Sequence, residues 1–118
     1  MDNGVYIGES INTLIDGITV AMTPGMGESL HDHYGIAVYG SSNTHITRVL
    51  SECANSCIDL SGNIPNMNTY ITHCNLFGSN RVDGLGMHEN AYNTVVTDCV
   101  LCGMIGYGPV IVQRCRFV

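Results

Sequence analysis

The sequence predicts an all-β fold, a right-handed parallel β-helix of about four to five coils. Three observations lead there. A short string recurs as NTLIDGITV, NTHITRVLS, NTYITHCNL and NTVVTDCVL, with VIVQRCRF closing the chain. Aligned, these copies give four columns of mostly apolar residues. A second string, GVYIG, GIAVYG, CIDLSG, RVDGLG and MIGYG, recurs between them at separations of 31, 22, 24 and 23 residues, the length of one solenoid coil. Such a coil cannot bury its apolar face alone, whereas stacked coils pair backbone to backbone and share one core.

The elements follow from the columns. Thr13, Thr44, Thr69, Thr94 and Val110 form the first, and Ile15, Ile46, Ile71, Val96 and Val112 stand two residues later. The step of two describes a strand with one face inward. Ile18, Val49, Cys74, Cys99 and Cys115 come three residues further on, then Val20, Ser51, Leu76, Leu101 and Phe117. The extra residue marks a corner, after which a second short strand returns to the same interior. The GVYIG-type strings supply a third side, with Val5, Ile36, Ile58, Val82 and Ile105 expected inward. The 14 glycines gather between strands, where the chain must turn. Residues 21–33 (AMTPGMGESLHDH) interrupt the first coil as a loop insertion. The last coil is short, 16 residues from Thr94 to Val110. The expectation is a single domain over residues 1–118, a fragment or oligomer subunit without caps, because strand strings stand at both ends and leave edges open to pairing.

Composition narrows the function. The chain has 118 residues, ten carboxylates, four arginines, no lysine and a formal net charge of −6. A nucleic-acid partner is not expected, since phosphate binding needs a cationic surface. No apolar run approaches the roughly 20 residues that span a bilayer, so membrane insertion is not expected either. The first residues, MDNGVYIGES, have no signal-peptide pattern. The spacing of the six cysteines favours free buried thiols, with Cys74 and Cys99 in an apolar column, over disulfides or zinc ligands.

The Asn-Thr-x-Ile-x-x-Cys-x-Leu string and the coil spacing resemble the right-handed β-helix of the pectate-lyase-like superfamily, in the form found in bacteriophage tailspikes and tail fibres. The fold is shared by lyases, hydrolases, epimerases and receptor-binding spikes. Residues 83–99 (DGLGMHENAYNTVVTDC) are similar to the mannuronan-epimerase segment Tyr-Gly-Phe-Asp-Pro-His-Glu, which places His88 and Glu89 on its histidine and acidic positions. Gly86 stands where that family has its catalytic aspartate, and the Gly-His-Gly and Arg-Ile-Lys strings of polygalacturonases are absent.

The candidate site is the outward column Tyr6, Ala37, Asp59, Asp83 and Gly106. It sets Asp59 beside Asp83 on neighbouring coils, as an acid–base pair or around a Ca²⁺ ion, with Arg81 on the same face and His88 and Glu89 flanking it. Asp59, Asp83, His88 and Glu89 are the candidate catalytic residues. Arg81, His73 and Tyr70 are the candidate substrate-binding residues, with Tyr70 beside His45 as an aromatic platform. Local backbone bonding by the aspartates is the competing reading. The corner column Gly17, Arg48, His73, Asp98 and Arg114 reads more simply as a solvated ion-pair ladder, and His31 and His33 as exposed loop histidines rather than metal ligands. No cofactor is expected apart from that Ca²⁺ alternative.

Three functions compete: a tailspike or tail-fibre segment on the virion that binds host polysaccharide, with depolymerase activity left open; a polysaccharide lyase, hydrolase or epimerase; and a secreted or cell-surface adhesin. A homo-oligomer, in particular a homotrimer, is the expected assembly.

Overall fold

A computed structural model describes residues 4–21, 34–53, 56–78, 84–88, 90–106 and 109–118. Five coils stack, each giving one short strand to each of three parallel sheets. The first coil holds β1 (Val5–Gly8), β2 (Leu14–Asp16) and β3 (Thr19–Ala21); the second β4 (Ile36–Tyr39), β5 (Ser42–Thr47) and β6 (Leu50–Cys53). The third holds β7 (Ile58–Ser61), β8 (Asn66–Thr72) and β9 (Asn75–Gly78); the fourth β10 (Leu85–Met87), β11 (Ala91–Thr97) and β12 (Val100–Leu101). β13 (Met104–Ile105), β14 (Val110–Gln113) and β15 (Arg116–Phe117) close the stack. The sheets run β1-β4-β7-β10-β13, β2-β5-β8-β11-β14 and β3-β6-β9-β12-β15. This is a parallel β-helix.

The four columns of the longer string stand in the expected register. Ile15, Ile46, Ile71, Val96 and Val112 pair in sequence along the second sheet, and Val20, Ser51, Leu76, Leu101 and Phe117 along the third. The short last coil is pinched rather than misaligned, because Val96 pairs with Val112 while β12 and β13 shrink to two residues each. Ile46, Ile71, Val96, Leu76 and Leu101 are fully buried.

The third side departs from expectation at the fourth coil. Ile58 pairs with Leu85, not Val82, and Leu85 with Met104, not Ile105. The interior explains the shift. Leu85 and Met87 put two large apolar side chains inward on either side of Gly86, both buried, whereas Val82 would be followed two residues later by Gly84, leaving the second inward place empty. The insertion, apart from Ala21 at the end of β3, lies outside the described residues.

Left-handed backbone marks a kink within the second-sheet strands and the corner that follows them, as well as the corner after the first sheet. Asn12, Asn43, Asn68 and Asn93 have φ of 61°, 55°, 57° and 56°, a region asparagine tolerates better than other side-chain-bearing residues. Their side chains form a ladder in which each Nδ2 donates to the Oδ1 of the coil before, at 3.2, 3.3 and 3.3 Å. Pro109 stands at the next rung, and its fixed φ ends the ladder. The corner after these strands, Gly17, Arg48, His73, Asp98 and Arg114, is left-handed throughout, with φ between 51° and 72°. There Arg48 pairs with Asp16 and Arg114 with Asp98, all exposed to solvent.

The cysteine column is confirmed as one of free thiols: Cys74 and Cys99 are buried and unbridged. The Cys74 N–H points at Cys99 Sγ, 3.4 Å away. The hydrogen bond to Cys74 and burial push the Cys99 thiol up, which keeps it protonated and inert.

In the threonine column, the buried hydroxyls of Thr44, Thr69 and Thr94 have no hydrogen-bond partner. Replacing a buried unsatisfied hydroxyl by a methyl of the same shape removes a desolvation cost, and Val110 already fills this column in the last coil. Thr69→Val is therefore expected to raise stability by about 1 kcal/mol, read as a higher urea midpoint at unchanged m-value.

Candidate functional site

The outward face of the first sheet carries two adjacent columns. Register sets Tyr6, Ala37, Asp59, Gly86 and Ile105 in one, and Gly8, Tyr39 and Ser61 in the other. His88 follows β10 and continues the second column, its N–H donating to Leu60 O at 2.9 Å. The residue beside Asp59 is thus Gly86 rather than Asp83. That corrects the expected register and follows from the same shift that brings Leu85 inward. Asp83, Arg81 and Glu89 lie outside the described residues, as do His31, Asp32 and His33.

Asp59 points outward yet is 1% exposed. Ser61 Oγ donates to its Oδ2 at 2.6 Å, and His88 Nε2 stands 3.2 Å from its Oδ1. Both carboxyl oxygens are engaged. Gly86 makes this packing possible: a Cβ there would come within 2.8 Å of Ser56 Oγ and 3.1 Å of Asp59 Oδ1. The glycine in place of the epimerase-like aspartate therefore provides the floor on which Asp59 lies.

Burial raises the Asp59 carboxyl above its ordinary range, while the Ser61 hydrogen bond and the His88 ring partly counteract it. The folded chain therefore holds this proton to higher pH than the unfolded one. The stabilising effect of protonation is full below the unfolded value near 3.8 and is lost as pH rises through the folded pKa. Asp59→Asn, neutral at every pH, is expected to be more stable than the parent at pH 7 by on the order of 1 kcal/mol. The difference should fade below the unfolded value, as urea titrations across pH would read.

His88 is the part of this group that solvent reaches, its side chain 55% exposed against 2% for Asp59. The imidazole thus forms the outer surface of this group, with Asp59 behind it against the ring.

Beside this group lies an open cleft of about 430 Å³, lined by Tyr6, Tyr39, Ile64, Glu9, Ser61 and Asn63 among others. Tyr6 folds over Gly8, where a Cβ would meet its ring at 2.4 Å. It packs against Tyr39 with ring centroids 5.3 Å apart at 58°. Ser61 belongs to both features, lining the cleft and bonding Asp59.

Tyr70 and His73 are placed elsewhere. Tyr70 stacks on His45 on the second sheet, with centroids 4.6 Å apart at 24°. His73 occupies the left-handed corner beyond it, 3.9 Å from Asp98. The structure thus brings together Asp59 and His88 of the sequence candidates, and adds beside them Ser61, Tyr39, Glu9 and Ile64, which sequence reasoning did not name. The available signal was the alternation in IGE, VYG and LSG, which puts Gly8, Tyr39 and Ser61 on one outward column and Glu9 beside Gly40 and Gly62.

Fold and site together define a parallel β-helix with a carboxyl–imidazole–hydroxyl group and an aromatic cleft on one outward sheet face. Among solved structures, the chain is similar to the Gp54 tailspike of Acinetobacter baumannii bacteriophage AP22, determined in complex with A. baumannii capsular saccharide. The TM-score is 0.72 at 18% identity, over 93% of this chain and 19% of the tailspike. That likeness shows the fold, and this chain spans about a fifth of that tailspike's length. No protein-family profile and no curated protein sequence matches the chain.

Proposed function

We propose that the chain is a β-helix segment of a bacteriophage tailspike or tail fibre that binds host cell-surface polysaccharide. The observation that carries the reading is the first-sheet face. Two tyrosines line a shallow cleft next to a cluster of hydroxyl, carboxyl and imidazole groups, on a fold similar to that of a tailspike solved with capsular saccharide. Aromatic side chains offer an apolar face with a polar tip, and a few placed polar groups fix orientation, as saccharide recognition requires. A place in the phage tail and a homotrimeric assembly belong to the same proposal, and sedimentation of the purified protein tests the latter.

A second reading, polysaccharide cleavage, is favoured by one observation: the Asp59–His88 contact. A buried carboxyl behind an exposed imidazole orients the ring, which sets His88 where it can pass a proton to or from a bound glycan. Asp59 would be a positioning residue, since it is covered.

The experiment is binding and viscosity loss of purified capsular polysaccharide with parent protein, His88→Ala and Asp59→Asn. The reading expects binding by the parent. If the parent also cleaves, His88→Ala should lose roughly a hundredfold or more in rate while still binding. A folded parent that binds no capsular polysaccharide from any host panel overturns the proposal.

A further inference from the structure

The charges around the cleft say which sugars it takes, an inference that rests on the polysaccharide reading above. We propose that the Tyr6–Tyr39 cleft is a subsite for an uncharged sugar unit and that it discriminates against uronic acids.

Charge is distributed unevenly over the molecule. The chain has four arginines and no lysine. Arg48 and Arg114 are committed to Asp16 and Asp98 on the far corner of the second sheet, and Arg116 lies on β15 in the third sheet. Arg81 is outside the described residues. Among the described lining residues of the cleft none is cationic, and the one ionisable acid is Glu9. A sugar carboxylate seated on the tyrosines would lose water without gaining a cation and would face a like charge. Specificity of this kind comes from the repulsive element.

The backbone at Glu9 strengthens the argument. Parallel pairing stacks Glu9 over Gly40 and Gly62, because Gly8, Tyr39 and Ser61 pair in sequence. All three corner residues are left-handed, with φ of 48°, 59° and 104°. Two coils fill this position with glycine, which adopts that conformation freely. All three positions line the cleft, and the first coil fills its own with glutamate, which adopts that conformation at a cost of roughly 1 kcal/mol. The cleft's remaining lining suits an uncharged ring: Tyr6 is 58% and Ile64 49% exposed, giving apolar surface to the ring face. The Asn63 amide and the Ser61 hydroxyl can pair with sugar hydroxyls.

The test uses purified capsular polysaccharides of known repeat unit, each uronate-bearing one presented both intact and after reduction of its carboxylates to primary alcohols. Binding is measured for the parent, Tyr6→Ala and Glu9→Arg, with melting curves to establish folding. Arginine already occupies left-handed corners at Arg48 and Arg114, so the Glu9→Arg backbone is tolerable.

The proposal expects neutral or carboxyl-reduced chains to bind at least about tenfold more tightly than their uronate counterparts. Tyr6→Ala should lose that binding, and Glu9→Arg should cut the preference by about tenfold or more. A folded parent that binds intact uronate chains more tightly overturns the inference and leaves the polysaccharide reading standing. So does a neutral preference that neither substitution alters. A folded parent that binds none of the chains overturns the polysaccharide reading itself.

Discussion

Asn66→Ala is expected to destabilise the protein by roughly 3–5 kcal/mol, the largest effect of any single polar substitution here. Asn66 is fully buried at the corner between the first and second sheets. Its Oδ1 accepts from Ser41 N–H at 3.1 Å, and its Nδ2 donates to Val38 O at 3.1 Å and Ser61 O at 3.0 Å. Alanine would strand one donor from these three bonds and weaken two carbonyls in a place water does not reach, and would leave a void between coils. Asn66→Asp keeps the acceptor but loses the donor and buries a charge, so it should be no better. Because Ser61 both receives this bond and holds Asp59, Asn66→Ala should also loosen the Asp59–His88 contact. Urea unfolding reads the first effect, and the chemical shifts of His88 read the second.

Ile71→Ala should cost about 3–4 kcal/mol, within the range for a fully buried branched side chain. Ile71 sits in the middle coil, stacked between Ile46 and Val96, and all three are fully buried. In a solenoid each coil contacts only its neighbours, so a cavity in the middle coil is felt on both sides. Val112→Ala, at the end of the same column and only partly buried, should cost about 1 kcal/mol. Equal losses at the two positions would mean that the stack continues beyond β14 in solution, as self-association through the last coil would produce.

Much of this architecture was legible because the stacked residues recur in kind. Threonine, isoleucine and cysteine columns at steps of two and three leave one register for the second and third sheets, and that register stands through the pinched fifth coil. The first sheet was less legible from the fourth coil onward. Its strings share only glycine and an aliphatic residue, and RVDGLG offers both Val82 and Leu85 as the inward position. Packing decides for Leu85, because Met87 then fills the second inward place.

The same slip hid part of the site. Asp59 and His88 were recognisable by type, but the mistaken register set Asp59 against Asp83 instead of Gly86, and so masked the contact with His88. The tyrosine cleft was not readable at all from composition. Tyr6 and Tyr39 hold different places in their strings, and they meet only because parallel pairing brings Tyr39 beside Gly8, the residue over which Tyr6 folds.

The most direct measurement is a crystal structure of this protein with an oligosaccharide released from a capsular polysaccharide it binds. The account predicts sugar density against Tyr6 and Tyr39, with His88 the nearest ionisable group on the Asp59 side. Density on the second sheet over His45 and Tyr70, with the Tyr6–Tyr39 cleft empty at the same ligand concentration, would contradict it.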